Sequence, residues 1–543
     1  MTGFREAIQA GEFAVTVELI PGRGAREASQ EALKETAKRV MATGRVHAVS
    51  VTDAPGGNPA LPAPAFAAEL AREGLECLVH LSCKDRNRNQ LEAELYALQR
   101  AGVQNLLCMT GDYPSTGWLG QPRPVFDLDS VTLLEQIGSF NAGMGYPGPK
   151  GDVVRTAPGA FFAGGVVSPA KWTEAEVLLQ LAKAKKKVFV GAEFLVSQVC
   201  FDVRKVQEML QLIRDADLRT ADGRPVPLIA NIFVLTAPTA GVMNRGAIPG
   251  CHVGDALLAK VRAERENSTD KGREARLLRA AKMVAAVRKL GYAGVHIGGF
   301  GVDEKAVGRI LDLADCYDSV SLAELAVDLA DAPEDSWWAY LPDSESGGIL
   351  SSAEPAPRDE FRKDRAVQGN FTTSMRFHRL VFVPGKGLNG AFLARERKLE
   401  EKKGRLREHG LEHLSKTGLY HCIDCGDCGL YACAYTCPMA ECPKCQRNGA
   451  CGGSTDGFCE VYPGQRLCVW YKAYHRLKLR GDVKTLESYV VPPNDWSLFG
   501  KSPWGATATG RDGYARRQWL PDAEPDAEAT DGVKPSPDAP RVH

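Results

Sequence analysis

Short apolar runs alternate with longer stretches of helical periodicity through the first 330 residues. The runs cover residues 13–20, 46–52, 77–83, 105–111, 161–167, 194–201, 228–235 and 292–299. Each is rich in β-branched or other apolar side chains and is followed by a candidate helix. Strands that alternate with helices build a parallel sheet, and eight such units are typical of a closed (β/α)₈ barrel.

Two local signals refine this prediction. The first strand ends in Pro21-Gly22-Arg23-Gly24, which does not match the glycine-rich phosphate turn of an open, doubly wound sheet. Thr173 and Glu176 have the spacing of a capping box ahead of apolar Val177, so we expect a helix to begin there.

The composition and the hydrophobic pattern of the chain change near residue 330. Residues 331–360 are rich in Pro, Ser, Gly and acidic side chains, whereas Ala391 to Lys416 is a charged helical stretch. The last thirty or so residues lack apolar content. We therefore predict a barrel at 1–330, a linker at 331–371, a cysteine-rich domain at 372–500 and a largely disordered tail at 501–543.

Composition and charge exclude some classes of function. Hydrophobic residues make up 44% of the chain and charged residues 25%, as in ordinary globular enzymes. Lys+Arg and Asp+Glu both number 67, so no net field recruits nucleic acid or an anionic membrane. The start MTGFREAIQAGEF has no apolar signal core, and no apolar run approaches the ~20 residues of a membrane span. We expect a cytoplasmic protein with reduced thiols.

The cysteines are strongly clustered. Ten of the sixteen are Cys422, Cys425, Cys428, Cys433, Cys437, Cys442, Cys445, Cys451, Cys459 and Cys468. Thiolates at such short intervals suit zinc or iron-sulfur clusters, and a reducing compartment disfavours disulfides.

The spacing of these cysteines indicates two groups. Cys422, Cys425 and Cys428 have the spacing with which ferredoxins hold three corners of a [4Fe-4S] cluster, and Cys437, which precedes a proline, is the candidate fourth ligand. We predict a second group, with Cys433 and Cys468 as alternates or buried thiols; it comprises Cys442, Cys445, Cys451 and Cys459. Structural zinc is the alternative, because Cys₄ ribbons use the same pairs.

One acidic residue of the predicted barrel is a candidate for catalysis, with a rim glutamate paired with a lysine as the alternative. Along the first strand Glu18 shares a face with Ala14 and Thr16 and stands near the strand's C-terminal end. That end is where (β/α)₈ barrels carry their active sites.

Motifs at successive strand ends resemble those of the methylenetetrahydrofolate reductase family over residues 10–315. They are Val-Glu-Leu-Ile-Pro (17–21), Val-Ser-Val-Thr (49–52), His-Leu-Ser-Cys (80–83), Thr-Gly-Asp (110–112) and Gly-Ala-Glu-Phe-Leu-Val-Ser-Gln-Val-Cys-Phe-Asp (191–202). Residues 372–480 resemble the cysteine-rich C-terminal domain that is fused to or partnered with such reductases. The matching segments there are 437–444, 448–453 and 458–461.

The resemblance implies a flavin-dependent barrel that reduces 5,10-methylenetetrahydrofolate to 5-methyltetrahydrofolate. Glu18 matches the catalytic acid that protonates N10 of the folate, and Asp112 matches the aspartate beside flavin and pterin. Gln198 matches the glutamine that binds the pterin edge. The positions that contact the flavin ring, ribityl chain or phosphate are Thr52, His80 and Lys187.

Two departures from the family leave the cofactor as FAD or FMN. After the fifth strand the chain has Gly164-Gly165-Val166-Val167-Ser168-Pro169, without the Tyr and His of many relatives. Gln180 replaces an acidic ribityl contact.

The fused cysteine domain predicts where electrons enter. A cluster can accept single electrons and pass them to a flavin, so we expect a ferredoxin-like or other redox protein as donor. One alternative is the same reductase with NAD(P)H as donor and structural zinc. Another is a zinc-thiolate barrel that transfers methyl groups to homocysteine, for which Cys83 and Cys200 are the nearest candidates. The direction of the reaction and the oligomeric state stay open.

Overall fold

The structure is a computed structural model. It describes residues 2–343, 345–346, 348–349, 367, 369–383, 385, 387–403, 410–521 and 523.

Of the fourteen strands in the described residues, eight are parallel and close into a barrel. In chain order the strands are β1 Ala14–Leu19, β2 Ala48–Val51, β3 Cys77–Ser82, β4 Asn105–Met109, β5 Gly145–Pro147, β6 Val153–Arg155, β7 Phe162–Val167, β8 Phe194–Ser197, β9 Leu228–Phe233, β10 Gly294–Gly298, β11 Pro342–Asp343, β12 Gly348–Ile349, β13 Tyr489–Val490 and β14 Gln518–Trp519. Around the barrel the order is β1-β2-β3-β4-β7-β8-β9-β10, and β10 pairs with β1. This confirms the eight predicted strands and the (β/α)₈ fold. The β5–β6 hairpin is an insertion that the sequence did not indicate.

Helices cover the barrel and plug one end of it. They are α1 Phe4–Ala10, α2 Ala28–Ala42, α3 Ala63–Arg72, α4 Arg88–Arg100, α5 Ser130–Asn141, α6 Glu174–Phe189, α7 Val203–Asp215, α8 Ala237–Asn244, α9 Asp255–Glu266, α10 Arg273–Leu290, α11 Glu304–Cys316, α12 Leu322–Ala326, α13 Phe371–Val381, α14 Asn389–Lys403, α15 Gly410–Tyr420, α16 Val469–Lys478 and α17 Pro503–Ala508. The fully buried Phe4 of α1 packs edge-on against Phe162 and Phe194 at the start of their strands. α1 therefore closes the end of the barrel at which the strands begin. None of the described helices is long and apolar enough to cross a bilayer.

The predicted capping box at α6 forms only in part. Thr173 is the N-cap, and its hydroxyl oxygen accepts a hydrogen bond from the Glu176 N–H at 3.3 Å. Within the described residues the Glu176 carboxylate does not return the bond to the Thr173 main chain. It accepts instead from the Thr173 hydroxyl at 3.0 Å and from the Gly457 N–H at 3.1 Å. The cysteine-rich domain thus competes for the carboxylate that would have completed the box.

The predicted linker begins too early. Trp337, Trp338 and Tyr340 are buried against Val177 and Leu212, next to the two strands β11 and β12. Lys205 Nζ donates to the Trp337 carbonyl at 2.6 Å. The segment was predicted as a linker from its acidic, proline-containing composition. Its three aromatic side chains are nevertheless buried and anchor it to the barrel. Residues 350–366 of the predicted linker lie outside the described residues.

The cysteine-rich domain packs on α6 through α16. Tyr474 of α16 donates to Glu174 at 2.8 Å, and Lys478 forms an ion pair with the same carboxylate. Short 3₁₀ turns complete this region; they are Tyr431–Cys433, Val483–Glu487 and Trp496–Leu498, and a further one in the barrel is Pro55–Gly57.

The predicted tail also begins too early. Residues 501–521 contain α17 and β14, and β14 pairs antiparallel with β13. Ala506 and Ala508 of α17 are fully buried. The prediction of disorder is therefore wrong up to residue 521, because two short apolar elements were averaged with the acidic, proline-rich sequence that follows. Residues 524–543 lie outside the described residues.

Candidate functional site

A cavity of about 430 Å³ opens where the barrel strands end. Its lining includes the six barrel residues that the sequence singled out: Glu18, Thr52, His80, Asp112, Lys187 and Gln198. The closed sheet brings together residues that are up to 180 positions apart in the chain. The cysteine-rich domain supplies part of the wall, through Lys444, Cys451, Gly452, Gly453 and Glu460.

Glu18 lies in the cavity with an altered acidity. Burial raises its pKa from 4.5 to about 7, and a hydrogen bond from the Gly299 N–H at 3.3 Å lowers the pKa by a smaller amount. A Cβ on Gly298 would lie 2.6 Å from Glu18 Oε2, so this position needs glycine. Glycine at the end of β10 therefore makes room for the carboxyl group.

Asp112 is held by the loop that follows β2. Its Oδ2 accepts a hydrogen bond from the Gly56 N–H at 2.6 Å. Gly57, at φ +72°, lies so close to the loop after β4 that a Cβ would be 2.1 Å from the Tyr113 carbonyl oxygen. These contacts fix the two loops against each other and aim one carboxylate at the cavity.

Two histidines lie near the base of the cavity. The His80 ring is 2.8 Å from the Ser50 hydroxyl, and the His296 ring is 3.0 Å from the Thr16 hydroxyl. Their ring centroids are 5.8 Å apart. Burial lowers the pKa of His80 to about 4 and that of His296 to about 3. Both rings are therefore neutral at pH 7 and serve as hydrogen-bonding groups rather than proton donors.

Lys187 reaches the cavity from α6. Its ammonium donates to the Val166 carbonyl. Burial, followed by repulsion from Lys183, lowers the pKa of Lys187 to about 7. A buried ammonium group whose charge is so little balanced by nearby negative groups is suited to an anionic ligand.

Thr52 and Gln198 have fixed orientations. The Thr52 hydroxyl donates to the Leu19 carbonyl at 3.2 Å. The Gln198 side-chain oxygen accepts from the Val199 N–H at 3.0 Å, while the main-chain N–H of Gln198 donates to the Val167 carbonyl at 2.7 Å. The strand ends thus hold an amide side chain in place at the wall of the cavity.

The sequence analysis missed several polar residues of the cavity, among them Ser168, Asn231 and His296. The Ser168 hydroxyl and the Asn231 side-chain oxygen are buried without a hydrogen-bond partner among the described residues. Polar atoms in this state call for a polar ligand or water. Asn231 and His296 lie within β9 and β10, so a polar residue inside an otherwise apolar run was the signal that could have found them.

The structure brings eight cysteines into two groups. Burial raises the pKa of Cys422, Cys425 and Cys437, and the neighbouring Cys428 raises each of them further. These four cysteines are those predicted as the first ligand group. Their role as ligands stays a prediction, because no set of three or more His, Cys, Asp or Glu side chains among the described residues is arranged to hold one metal ion. A small separate cavity is lined by the second group, which consists of Cys442, Cys451, Cys459 and Cys468.

The second group differs from the predicted one by one residue. Cys468, predicted as an alternate, lines the small cavity, whereas Cys445 packs beside Cys425, Cys437 and Met439. Cys468 is the N-cap of α16, and this helix brings it back to the cavity. Spacing along the chain could not reveal that return.

Most of the other cysteines are buried in hydrophobic cores. Cys433 is fully buried in the core beneath α16. Of the barrel cysteines within the described residues, only Cys251 lines the large cavity. The zinc-thiolate alternative needs two or three converging barrel thiolates, and Cys83 and Cys200 do not supply them.

The fold and cavity define a (β/α)₈ barrel with a polar site at its strand ends and an appended cysteine-rich domain. Residues 3–314 match the family model described as methylenetetrahydrofolate reductase, and residues 405–497 match the one described as methylene-tetrahydrofolate reductase C terminal. The first match covers more than half of the chain. The chain therefore belongs to the methylenetetrahydrofolate reductase family, as the motif resemblance indicated.

Individual relatives are distant. The chain is 27% identical over 163 residues to the 5,10-methylenetetrahydrofolate reductase of Pectobacterium carotovorum, a match that covers 30% of this chain and 45% of that protein. It is 23% identical over 250 residues to methylenetetrahydrofolate reductase (NADH) 1 of Arabidopsis thaliana, with 44% and 38% covered. The matches thus span less than half of these relatives.

A solved structure from Clostridium thermocellum, described as an uncharacterized protein that binds two copies of 5-methyl-5,6,7,8-tetrahydrofolic acid, aligns over 58% of this chain and 99% of its own. The TM-score is 0.40 at 11% identity. A structural similarity of that size gives no information about the substrate or the functional site of this chain.

Proposed function

We propose that this protein is a flavin-dependent methylenetetrahydrofolate reductase that receives its electrons through the cysteine-rich domain. The observation that carries the proposal is Glu18, a buried carboxyl with a pKa near 7, in one cavity with Asp112 and Gln198. Family membership supplies the substrate class.

Glu18 is the general acid in this proposal. With a pKa of about 7 it is close to half protonated at neutral pH and can transfer its proton efficiently. Protonation of N10 of the folate opens the five-membered ring and leaves a cationic iminium at N5. Gln198 binds the pterin edge by hydrogen bonds.

Asp112 stabilises the charge that forms. Its carboxylate is held in place by the Gly56 N–H, so it does not have to reorganise when the iminium appears. A reduced flavin, when bound, supplies the hydride that converts the iminium carbon to a methyl group.

The cavity residues fit a flavin. Thr52 and His80 offer hydrogen-bonding groups at the strand ends, and Ser168 and Asn231 have buried polar atoms that lack a partner among the described residues. Lys187 would regain a normal ammonium pKa beside a phosphate. These groups match the ring, hydroxyl and phosphate parts that FAD and FMN share, and both remain candidates.

The cysteine groups can hold iron-sulfur clusters or zinc, because Cys₄ zinc ribbons use the same C-x2-C pairs. We propose clusters, because Cys422, Cys425 and Cys428 have the spacing with which ferredoxins hold three corners of a [4Fe-4S] cluster. Such a cluster supplies single electrons that originate from a ferredoxin-like donor.

Anaerobic purification followed by flavin, iron and sulfide assays and electron paramagnetic resonance tests the proposal. We expect one flavin per chain, sulfide equal to iron, and conversion of methylenetetrahydrofolate with a reduced ferredoxin. Zinc without sulfide, together with NAD(P)H-dependent turnover, would support the structural-zinc alternative and contradict the electron route. A preparation that binds no flavin under any condition would contradict the function itself.

A further inference from the structure

Only a thin wall separates the large barrel cavity from the small cysteine-lined cavity. Lys444, Cys451 and Glu460 line both cavities. The side chains of Lys444 and Glu460 are 4% and 5% exposed and form an ion pair. A buried charged pair therefore stands between the folate site and the second cysteine group.

The pair touches a functional element on each side. Lys444 Nζ also donates to the Gly111 carbonyl at 2.7 Å, and Gly111 immediately precedes Asp112. On the other side, the Cys451 thiol lies 3.6 Å from Glu460 Oε2. A continuous series of contacts runs from Cys451 through Glu460 and Lys444 to the loop that carries Asp112.

The main chain is shaped to admit this pair. A Cβ on Gly453 would lie 1.2 Å from Glu460 Oε2, so the carboxylate occupies space that only glycine leaves. Burying an ion pair gains little stability over a well-packed apolar pair, because both charges lose their hydration. Packing alone does not account for a charged pair at this wall.

We propose that Lys444 is a positioning residue for folate reduction: it holds the Gly111–Asp112 segment, and Glu460 holds Lys444 in turn. The cysteine-rich domain thereby sets the position of Asp112 as well as carrying the cysteines. This inference rests on the proposed function, because Asp112 acts there on the cationic folate.

The chain offers a matched control in the same domain. Lys472 pairs with Glu441 at 2.5 Å, and Glu441 lines the small cavity but not the barrel cavity. Lys472→Met therefore removes a lysine–glutamate pair next to the cysteines without removing a contact to the Asp112 loop.

The test compares Lys444→Met, Lys444→Arg and Lys472→Met in the full-length holoenzyme. Three quantities are measured: kcat and KM for methylenetetrahydrofolate, the change in the flavin absorption spectrum on titration with 5-methyltetrahydrofolate, and iron and sulfide content. We expect Lys444→Met to lower kcat ~10-fold or more and to alter the spectral change, with iron and sulfide as in the wild type. Lys444→Arg should recover most of the loss, and Lys472→Met should match the wild type.

Three results would overturn the inference: Lys444→Met that matches Lys472→Met, loss of iron and sulfide in Lys444→Met, or a failure of arginine to recover any activity. If Lys444→Met does not fold, Glu460→Gln keeps the shape of the wall and must show the same drop in kcat. A wild-type protein whose flavin does not respond to the folate would instead contradict the proposed function.

Discussion

The barrel and the cysteine-rich domain hold their functional residues in different ways. In the barrel, the hydrogen bonds of eight parallel strands fix the main chain, and functional side chains such as Glu18 project from the strand ends. The cysteine-rich domain has few regular elements around its thiols. There, buried polar side chains bind main-chain groups and take over the role of the sheet.

Asp427 and Asn448 illustrate the second arrangement. The fully buried Asp427 carboxylate accepts from the Gly513 N–H at 2.6 Å and the Asp495 N–H at 3.0 Å, and it pairs with Arg447 at 3.2 Å. Asn448 exchanges two bonds with the main chain of Val491, at 2.7 and 2.9 Å.

Mutations should act differently in the two regions. A strand end can lose a side chain while its main chain stays in the sheet, so substitutions there should change chemistry more than folding. In the cysteine-rich domain one side chain organises several segments, so its loss should unfold the region.

Glu18→Gln should abolish most of the chemistry and leave the fold intact. Loss of a general acid costs about 100-fold to 10,000-fold in rate. We expect this loss in kcat with flavin content and melting temperature as in the wild type. The surface variant Glu31→Gln on α2 is the control. Turnover within a few-fold of the wild type would refute the acid assignment.

Asp427→Ala should mainly lower the stability of the cysteine-rich domain. Removing one partner of a buried ion pair leaves uncompensated buried charge and costs about 3–5 kcal/mol. We expect a lower unfolding midpoint in urea and earlier proteolysis within residues 410–521. Asp312→Ala breaks the exposed pair with Arg45 and should change stability little. Equal effects of the two variants would remove the contrast between the regions.

The pH dependence of folate reduction should report Glu18. The acid must be protonated, and burial raises its pKa to about 7. We therefore expect kcat/KM to be level below that pH and to fall about tenfold per pH unit above it. In Glu18→Gln this fall should disappear from the residual rate. A wild-type profile that is flat from pH 6 to 9 would show that another group supplies the proton.

Gln198→Ala should give the smallest effect. Lost hydrogen bonds to a buried ligand cost about 1–3 kcal/mol, so KM for the folate should rise roughly tenfold. The protein should keep its flavin and its stability, because the strand end is fixed by the sheet. Gln211→Ala on α7, whose amide binds the side chain of Asp215, is the matched control. A loss of unfolding free energy that is larger than the loss of binding free energy given by the rise in KM would contradict the assignment of Gln198 to the substrate.

More of the barrel than of the cysteine-rich domain could be predicted from the sequence. Hydrophobic runs located all eight barrel strands, because a parallel strand buried on both faces leaves a run that is visible in the chain. The same logic placed Glu18 at a strand end, and the family motifs added Thr52, His80, Asp112, Lys187 and Gln198.

Contacts between the two regions could not be predicted in this way. Lys444 and Glu460 stand among cysteines, and nothing in their spacing shows that Lys444 contacts Gly111, 333 residues earlier in the chain. Cys468 was placed outside its group for the same reason. Such residues are fixed by the docking of α16 on α6, which depends on tertiary packing rather than on a local period.

The most direct test is a single anaerobic mixing experiment. The purified protein is reduced fully, freed of reductant and mixed with methylenetetrahydrofolate at pH 7, while the visible absorption of the flavin is followed and the folate product is analysed. We predict that the flavin becomes oxidised and that 5-methyltetrahydrofolate forms, one for each reduced flavin and up to one more from the two electrons that two reduced clusters pass on, much more slowly in Glu18→Gln. A flavin that stays reduced in the presence of the folate, with no methyl product, would contradict it.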